Sequence, residues 1–274
     1  MHNMNIKNFY NYINFNQFGL KKEINLIKNI NVIKDIPILK DINYEYKILE
    51  LGSGSGWLLN GLSYYYNAFG VGIDFNKNGI NVSNKVSKKL KLNTFFIEND
   101  ISSFSKYKNE KFKTIISFGV LHHIKNFEEV LEDIVKNLLD ENGILILGLY
   151  NKYERYPFLE HFQKLKNKNY SNKKLFKCFK NLIFKNKNNK IIKSIFYDQV
   201  LTPFESQYSF IEIKNLLNKL GCTILQTSLN NYEFIDDSIN FNKIENELLL
   251  KAKIDISKNI FNPGLFTIKA IKNN

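Results

Sequence analysis

From Tyr46 onward the chain alternates short apolar runs with amphipathic stretches. The runs are residues 47–51, 69–74, 93–98, 112–118 and 143–150, each short enough and apolar enough for a strand buried on both faces. Between them, Trp57 to Tyr66, Lys77 to Leu90 and Phe127 to Leu139 carry apolar residues at helical spacing, with Ile80, Val86 and Leu90, then Val130, Ile134 and Leu138, as the inward stripes. Strand and helix in strict alternation predict βαβ units and a largely parallel sheet. The rhythm stops near 151 and resumes with a helix at Phe210 to Leu220, ended by Gly221, and strands at Cys222 to Leu229 and Leu265 to Ile271, which brings the expected strands to seven. Ahead of the first strand, Leu20, Ile24, Ile27 and Ile30 predict a helix within Phe18 to Lys40, closed by Pro37. The expected organisation is a helical entry segment (1–44), a core (45–150), an insertion (151–207) and a closing helix with two strands (208–274).

With 274 residues, 44% of them hydrophobic and 24% charged, the chain has ample material for a buried core, which excludes disordered and collagen-like classes. No run approaches the length a membrane-spanning helix needs, and Met1 to Asn5 lacks a charged segment leading into an apolar one, so a cytoplasmic protein is expected. Cys178 and Cys222 stand far apart with no paired His or Cys, a pattern unlike a zinc site, an iron–sulfur cluster or a disulfide framework. No metal site is expected.

The net charge of +13 changes the picture through its placement. Residues 151–193 hold thirteen basic and two acidic residues, or +11 of the total. Such a segment points to an anionic surface or nucleic acid, but the Lys, Asn and Ile bias of the whole chain offers compositional drift as an equal explanation. Within it Leu175, Phe176, Phe179, Leu182 and Ile183 share a helical face bordered by Lys173, Lys174, Lys177 and Lys180. That helix is expected to pack on its own domain; peripheral contact with a membrane and cover for a substrate pocket are the alternatives.

Chemistry concentrates at the strand ends. The first strand runs through Glu50 into Gly52-Ser53-Gly54-Ser55-Gly56, where the backbone must turn sharply and admit a ligand closer than a Cβ allows. Trp57 occupies the place where a dinucleotide fingerprint needs its third glycine, which disfavours a nicotinamide or flavin enzyme. The second strand ends at Asp74, able to accept bonds from two ribose hydroxyls, and the third leads to Asp100 and Ile101, suited to the amine and ring of an adenine. Each acid alone reads as a cap or turn residue; together, at three successive strand ends, they read as a ligand site.

Glu50 to Gly56, Val71-Gly-Ile-Asp74, Asn99-Asp100-Ile101, Phe118 to Ile124 and Asn142 to Gly148 resemble, in order and spacing, the motifs of class I S-adenosylmethionine-dependent methyltransferases. The resemblance implies a Rossmann-like, seven-stranded, mostly parallel sheet with the last strand antiparallel and helices on both faces, here with a basic helical insertion after the fifth strand. It implies S-adenosylmethionine as cofactor, with Glu50, Gly52, Ser53, Gly54 and Gly56 around the methionine part, Asp74 at the ribose, Asp100 and Ile101 at the adenine, and Phe75, Phe118 and Gly119 also among the cofactor-binding residues. Leu121-His122-His123-Ile124 resembles the versions found in methyltransferases of quinones, small metabolites and sugars, and lacks the Asn/Asp-Pro-Pro-aromatic element of DNA amine methyltransferases. A small-molecule acceptor is therefore expected, with an RNA acceptor and a noncatalytic cofactor-binding module as alternatives.

His123 is the leading candidate base, because it follows the strand whose end faces the transferable methyl; capping or packing is its bland alternative. Arg155 is the only arginine of the chain. A planar two-pronged anion contact is the task lysine cannot copy, which suggests an acceptor carboxylate or phosphate, against a chance surface position. Asp198, Pro203, Glu205 and Tyr208 resemble a segment that precedes the late helix in other members, with no role legible from pattern.

Overall fold

Five apolar runs become parallel strands because each is flanked by amphipathic helices that cover both faces of the sheet. The computed structural model describes residues 6–13, 19–103, 110–183, 188–236 and 238–274. In chain order, the elements are α1 (Ile6–Ile13), α2 (Leu20–Asn29), α3 (Val32–Asp35), β1 (Ile48–Leu51), α4 (Trp57–Tyr66), β2 (Gly70–Asp74), α5 (Lys77–Leu90), β3 (Thr94–Glu98), β4 (Phe112–Phe118), α6 (Phe127–Asp133) and β5 (Leu139–Tyr150). The second half adds α7 (Lys152–Asn167), α8 (Asn172–Leu182), α9 (Asn189–Leu201), α10 (Phe210–Lys219), β6 (Cys222–Thr227), α11 (Phe241–Ser257) and β7 (Leu265–Lys272).

The sheet order is β3-β2-β1-β4-β5-β7-β6, with β1 to β5 parallel and β7 antiparallel to both β5 and β6. Chain direction through the sheet reverses between β1 and β4, the place where an open α/β sheet leaves a crevice at its carboxyl edge. One face is filled by residues such as Leu49, Leu131, Ile134, Phe210 and Leu217, and the other by Ile48, Leu58, Leu62, Ile80 and Ile116. This is the Rossmann-like seven-stranded arrangement, with its antiparallel last strand, that the motifs imply.

Three differences from expectation have local causes. The entry helix breaks after Asn29, and α3 and a short turn at Pro37–Leu39 follow; Phe18 lies outside the described residues. The helix expected through Leu139 keeps α form to Asp133 and widens to a π turn over Ile134–Leu138, after which Leu139 pairs with Phe112 and starts β5 early. The apolar pattern predicts no counterpart of α11. Its inward stripe includes Glu245, fully buried, while Leu250 and Ile254 point outward, so apolar periodicity alone conceals the helix.

The basic segment folds as α7, α8 and α9 around a cluster of their own, in which Phe158, Phe162, Leu175, Phe179, Ile192 and Phe196 meet Phe261. The apolar face of α8 therefore packs inward on its own domain, while Lys173, Lys174, Lys177 and Lys180 are exposed. Of the two thiols, Cys222 is buried and Cys178 partly so; both are free. Among the described residues, no helix is long and apolar enough to cross a membrane.

Candidate active site

The loop after β1 is held to β2 by backbone bonds: the Gly52 and Ser53 N–H groups both donate to the Ile73 carbonyl, at 2.7 and 3.0 Å. A Cβ on Gly52, whose φ is +77°, would lie 2.2 Å from the Val120 side chain, so glycine lets the loop pass against the segment leaving β4. Gly54 differs. With φ +54° and no atom within 4 Å of a would-be Cβ, it borders open space. Gly119, at the end of β4, borders open space in the same way.

Asp74 closes the loop from the β2 side. Its Oδ2 accepts from the Gly54 N–H at 2.9 Å and its Oδ1 from the Asn76 N–H at 2.7 Å. Burial still holds its carboxyl above the usual range, against the pull of those two bonds. Glu50 lies close enough to feel the Asp74 charge, and burial foremost pushes its carboxyl up to about 8 despite a bond from the Leu59 N–H. Glu50 Oε2 and Ser53 Oγ are buried with no partner among the described residues. Two orphaned polar atoms beside an open glycine are groups whose desolvation is uncompensated until something polar arrives, and a ligand ammonium or carboxylate is of that kind. The residues present thus fit the methionine end of S-adenosylmethionine.

Asp100 is placed differently from the other two acids. Its Oδ1 accepts from both the N–H and the hydroxyl of Ser102, at 3.0 and 2.6 Å, so it caps the turn at Ile101–Ser103. Ile101 is buried and Asp100 partly exposed. Phe75 and Phe118 are partly buried at the ends of β2 and β4, and Gly56 is packed under Phe96.

Beyond β4 the chain turns through Leu121–His123, and both histidines are buried. His123 Nδ1 lies 2.9 Å from the Phe204 carbonyl and Nε2 lies 3.1 Å from the Tyr10 hydroxyl. The His122 ring sits 4.0 Å from that of Tyr150 with neither nitrogen partnered among the described residues, and burial, with His123 and Arg155 near, holds it well below the usual histidine range. The segment after α9, whose role the pattern left open, supplies part of this environment. Besides the Phe204 carbonyl, the Ser206 N–H donates to the His122 carbonyl at 2.7 Å, and Tyr208 bridges to Asn151.

Arg155 corrects an expectation. It is wholly buried, so it is no surface survivor, and the carboxylate it grips in two-pronged fashion is Glu205 of the same chain, at 2.9 Å from Nε and 2.8 Å from Nη2. Nη1 and Nη2 also donate to Gln199, and the guanidinium lies 4.2 Å over the Tyr150 ring. The fork required an arginine for the reason anticipated, but its anion ties α7 to the 203–208 segment. Tyr10, Tyr150 and Gln199 belong to the same surroundings and escaped sequence reading, because nothing in their local pattern marks them and the fold alone unites them. A separate cavity of about 720 Å³ lies between α11 and the ends of β6 and β7, sharing no lining residue with the glycine loop.

A Rossmann-like sheet of this order, with a GxGxG turn tied to an acid at the next strand end, defines a class I S-adenosylmethionine-dependent methyltransferase fold. Residues 42–199 match the family model described as Methyltransferase domain, and the chain belongs to that family. No curated protein matches it. Among solved structures it is similar to PKMT2 from Rickettsia typhi in complex with AdoHcy (17% identity, TM-score 0.57, covering 91% of this chain and 54% of that one). It is also similar to magnesium protoporphyrin IX methyltransferase from Synechocystis PCC 6803 with bound SAH (15% identity, TM-score 0.54, covering 97% and 93%). A third is the plantazolicin methyltransferase BpumL in complex with SAH (14% identity, TM-score 0.51, covering 97% and 88%). At these identities the likeness is one of fold, and the chain spans about half the length of the Rickettsia protein.

Proposed function

We propose that this chain transfers a methyl group from S-adenosylmethionine to a small-molecule acceptor. The observation that carries the reading is the pairing of an unpartnered, buried Glu50 Oε2 with the open Gly54 turn, roofed by Asp74. Glu50 and Ser53 would hold the amino-acid end of the cofactor, Asp74 and Phe75 the ribose, and Ile101 the adenine face, with Asp100 either at the adenine amine or kept as the cap of its turn. When bound, the cofactor supplies a methyl carbon already activated by a positively charged sulfur. What falls to the protein is alignment of the acceptor, exclusion of water and acceptance of a proton.

His123, on the turn that follows β4, would take up that proton. On this reading the acceptor side is lined by the phenol and imidazole rings of Tyr10, Tyr150, His122 and His123, and among the described residues the buried cation beside them, Arg155, is matched by Glu205. This favours an acceptor with polar and aromatic character over one recognised as an anion. An RNA acceptor draws support from the exposed lysines of α8, and such binding would weaken steeply with salt. The test is transfer of labelled methyl from S-adenosylmethionine into a metabolite extract, with products identified by mass. A labelled small product that vanishes in Asp74→Ala is expected; label appearing only in RNA, or in nothing while the cofactor binds, would overturn the small-molecule reading.

A further inference from the structure

The hydroxyl of Tyr10 stands between two groups that both demand its single proton. Oη lies 2.5 Å from Asp198 Oδ1 on α9 and 3.1 Å from His123 Nε2. A carboxylate at 2.5 Å is the stronger claimant, so the phenol donates to Asp198. His123 Nδ1 faces the Phe204 carbonyl, which has no proton to give, so Nδ1 carries the N–H. Nε2 of the neutral ring is then a lone pair facing an oxygen whose proton is already committed. The trio is one hydrogen short, and a proton added at Nε2 turns that contact into a hydrogen bond while the Asp198 charge balances the imidazolium.

Both ring nitrogens of His123 are thus engaged, and neither is open to a substrate. We propose that Asp198, Tyr10 and His123 act as one proton-accepting unit for the methyl acceptor, with the proton entering at Tyr10 Oη. This rests on the methyltransferase reading. In the step, the Tyr10 proton turns from Asp198 and passes to His123 Nε2, while the acceptor's proton passes to Tyr10 Oη and takes up the bond to Asp198. The electron pair left on the acceptor atom forms the bond to the methyl carbon, and the pair of the carbon–sulfur bond leaves with sulfur. One positive charge disappears from sulfur and one appears on His123; Asp198 remains a carboxylate.

The surroundings keep the unit in that state. The Gln199 side chain donates to Asp198 Oδ2 at 2.6 Å and to Tyr150 Oη at 2.7 Å. Burial and the Asp198 charge raise the Tyr10 phenol well above its ordinary range, against a bond from Thr202, so it does not persist as a phenolate while it relays a proton. The remaining charged neighbour, Arg155, is held by Glu205, and His122 stays neutral. Tyr10 is delivered by α1, which is anchored by the buried Phe9 and by a bond from Asn76 Nδ2 to the Tyr10 carbonyl at 3.1 Å. The unit is therefore complete only when α1 is docked between the cofactor edge at Phe75 and Asn76 and the insertion.

The experiment is side-chain nitrogen NMR of ¹⁵N-labelled full-length protein across pH, with S-adenosylhomocysteine affinity measured in parallel, for wild type, Tyr10→Phe and Asp198→Asn. Acidification of the wild type should bring up a His123 Nε2–H signal protected from exchange; both variants should lose it while binding S-adenosylhomocysteine as before. A signal retained in the variants, even with lowered melting temperatures, would mark Tyr10 as a packing residue and overturn the proposal. So would its absence from the wild type at every pH. Should Tyr10→Phe fail to fold, Asp198→Asn gives the same readout. Failure of the wild type to bind S-adenosylhomocysteine would remove the methyltransferase reading and the acceptor step with it, whereas binding by all three proteins with an unaltered signal would overturn the trio alone.

Discussion

Replacement of Glu50 by Gln probes the orphaned carboxyl directly. In the cofactor-free protein burial moves this group from its ordinary 4.5 to about 8, so between those values the folded chain holds a proton that the unfolded chain has released. Stability from this group is fully present below pH 4.5 and is lost as pH rises through 8. At about 1.4 kcal/mol per pH unit, the displacement amounts to about 5 kcal/mol, of which about 4 falls between pH 5 and 8.5. Glutamine has the same shape and never ionises. Urea unfolding of wild type and Glu50→Gln at the two pH values should show the difference in unfolding free energy moving by about 4 kcal/mol in favour of the variant at pH 8.5. Asp74, raised in the same direction, is present in both proteins, so it enters the comparison only through its coupling to Glu50, which is smaller than the burial effect. Saturating S-adenosylhomocysteine should shrink the gap, because a ligand ammonium compensates the ionised Glu50. Parallel curves, with the same difference at both pH values, would refute the claim that Glu50 is a desolvated carboxyl awaiting a partner.

Two further substitutions test the scaffold. Arg155→Lys keeps the charge but loses the two-pronged grip on Glu205 and the bonds to Gln199, so unfolding free energy should fall by about 3 kcal/mol; an unchanged denaturation midpoint would mean the buried pair is structurally idle. Gly52→Ala places a methyl 2.2 Å from Val120 at a φ of +77°, and should cost about 2 kcal/mol and weaken S-adenosylhomocysteine binding through the displaced loop, with full affinity contradicting it.

The strands and crossover helices could be read from sequence because their burial is uniform. β1 is buried at every position, and α5 puts Ile80 and Val86 inward with lysines outward. Glu50, Asp74 and the glycines were visible because they sit at fixed places after strands whose ends an open parallel sheet gathers together. The polar cluster around His123 was illegible for the opposite reason. Its members come from α1, the end of β4, α9 and the segment after it, more than 180 residues apart in the extreme case of Tyr10 and Asp198, and each looks locally like an ordinary helix or loop residue. Arg155 shows the intermediate case. Its rarity flagged a geometric need for a guanidinium, but only the fold reveals that the anion is Glu205. In α11, Glu245 bonds Asn151 and the Phe210 N–H at an inward position where periodicity calls for an apolar residue, which hid a helix of 17 residues.

Isothermal titration of S-adenosylhomocysteine into wild type and Asp74→Ala tests most directly whether the ends of β1 and β2 grip an adenosyl group. Asp74 offers acceptors to two ribose hydroxyls, each charge-assisted bond worth about 1.5 kcal/mol or more, so the variant should bind at least about 100-fold more weakly than a saturable, 1:1 wild type. No binding by the wild type, or equal binding by the two proteins, would contradict the account.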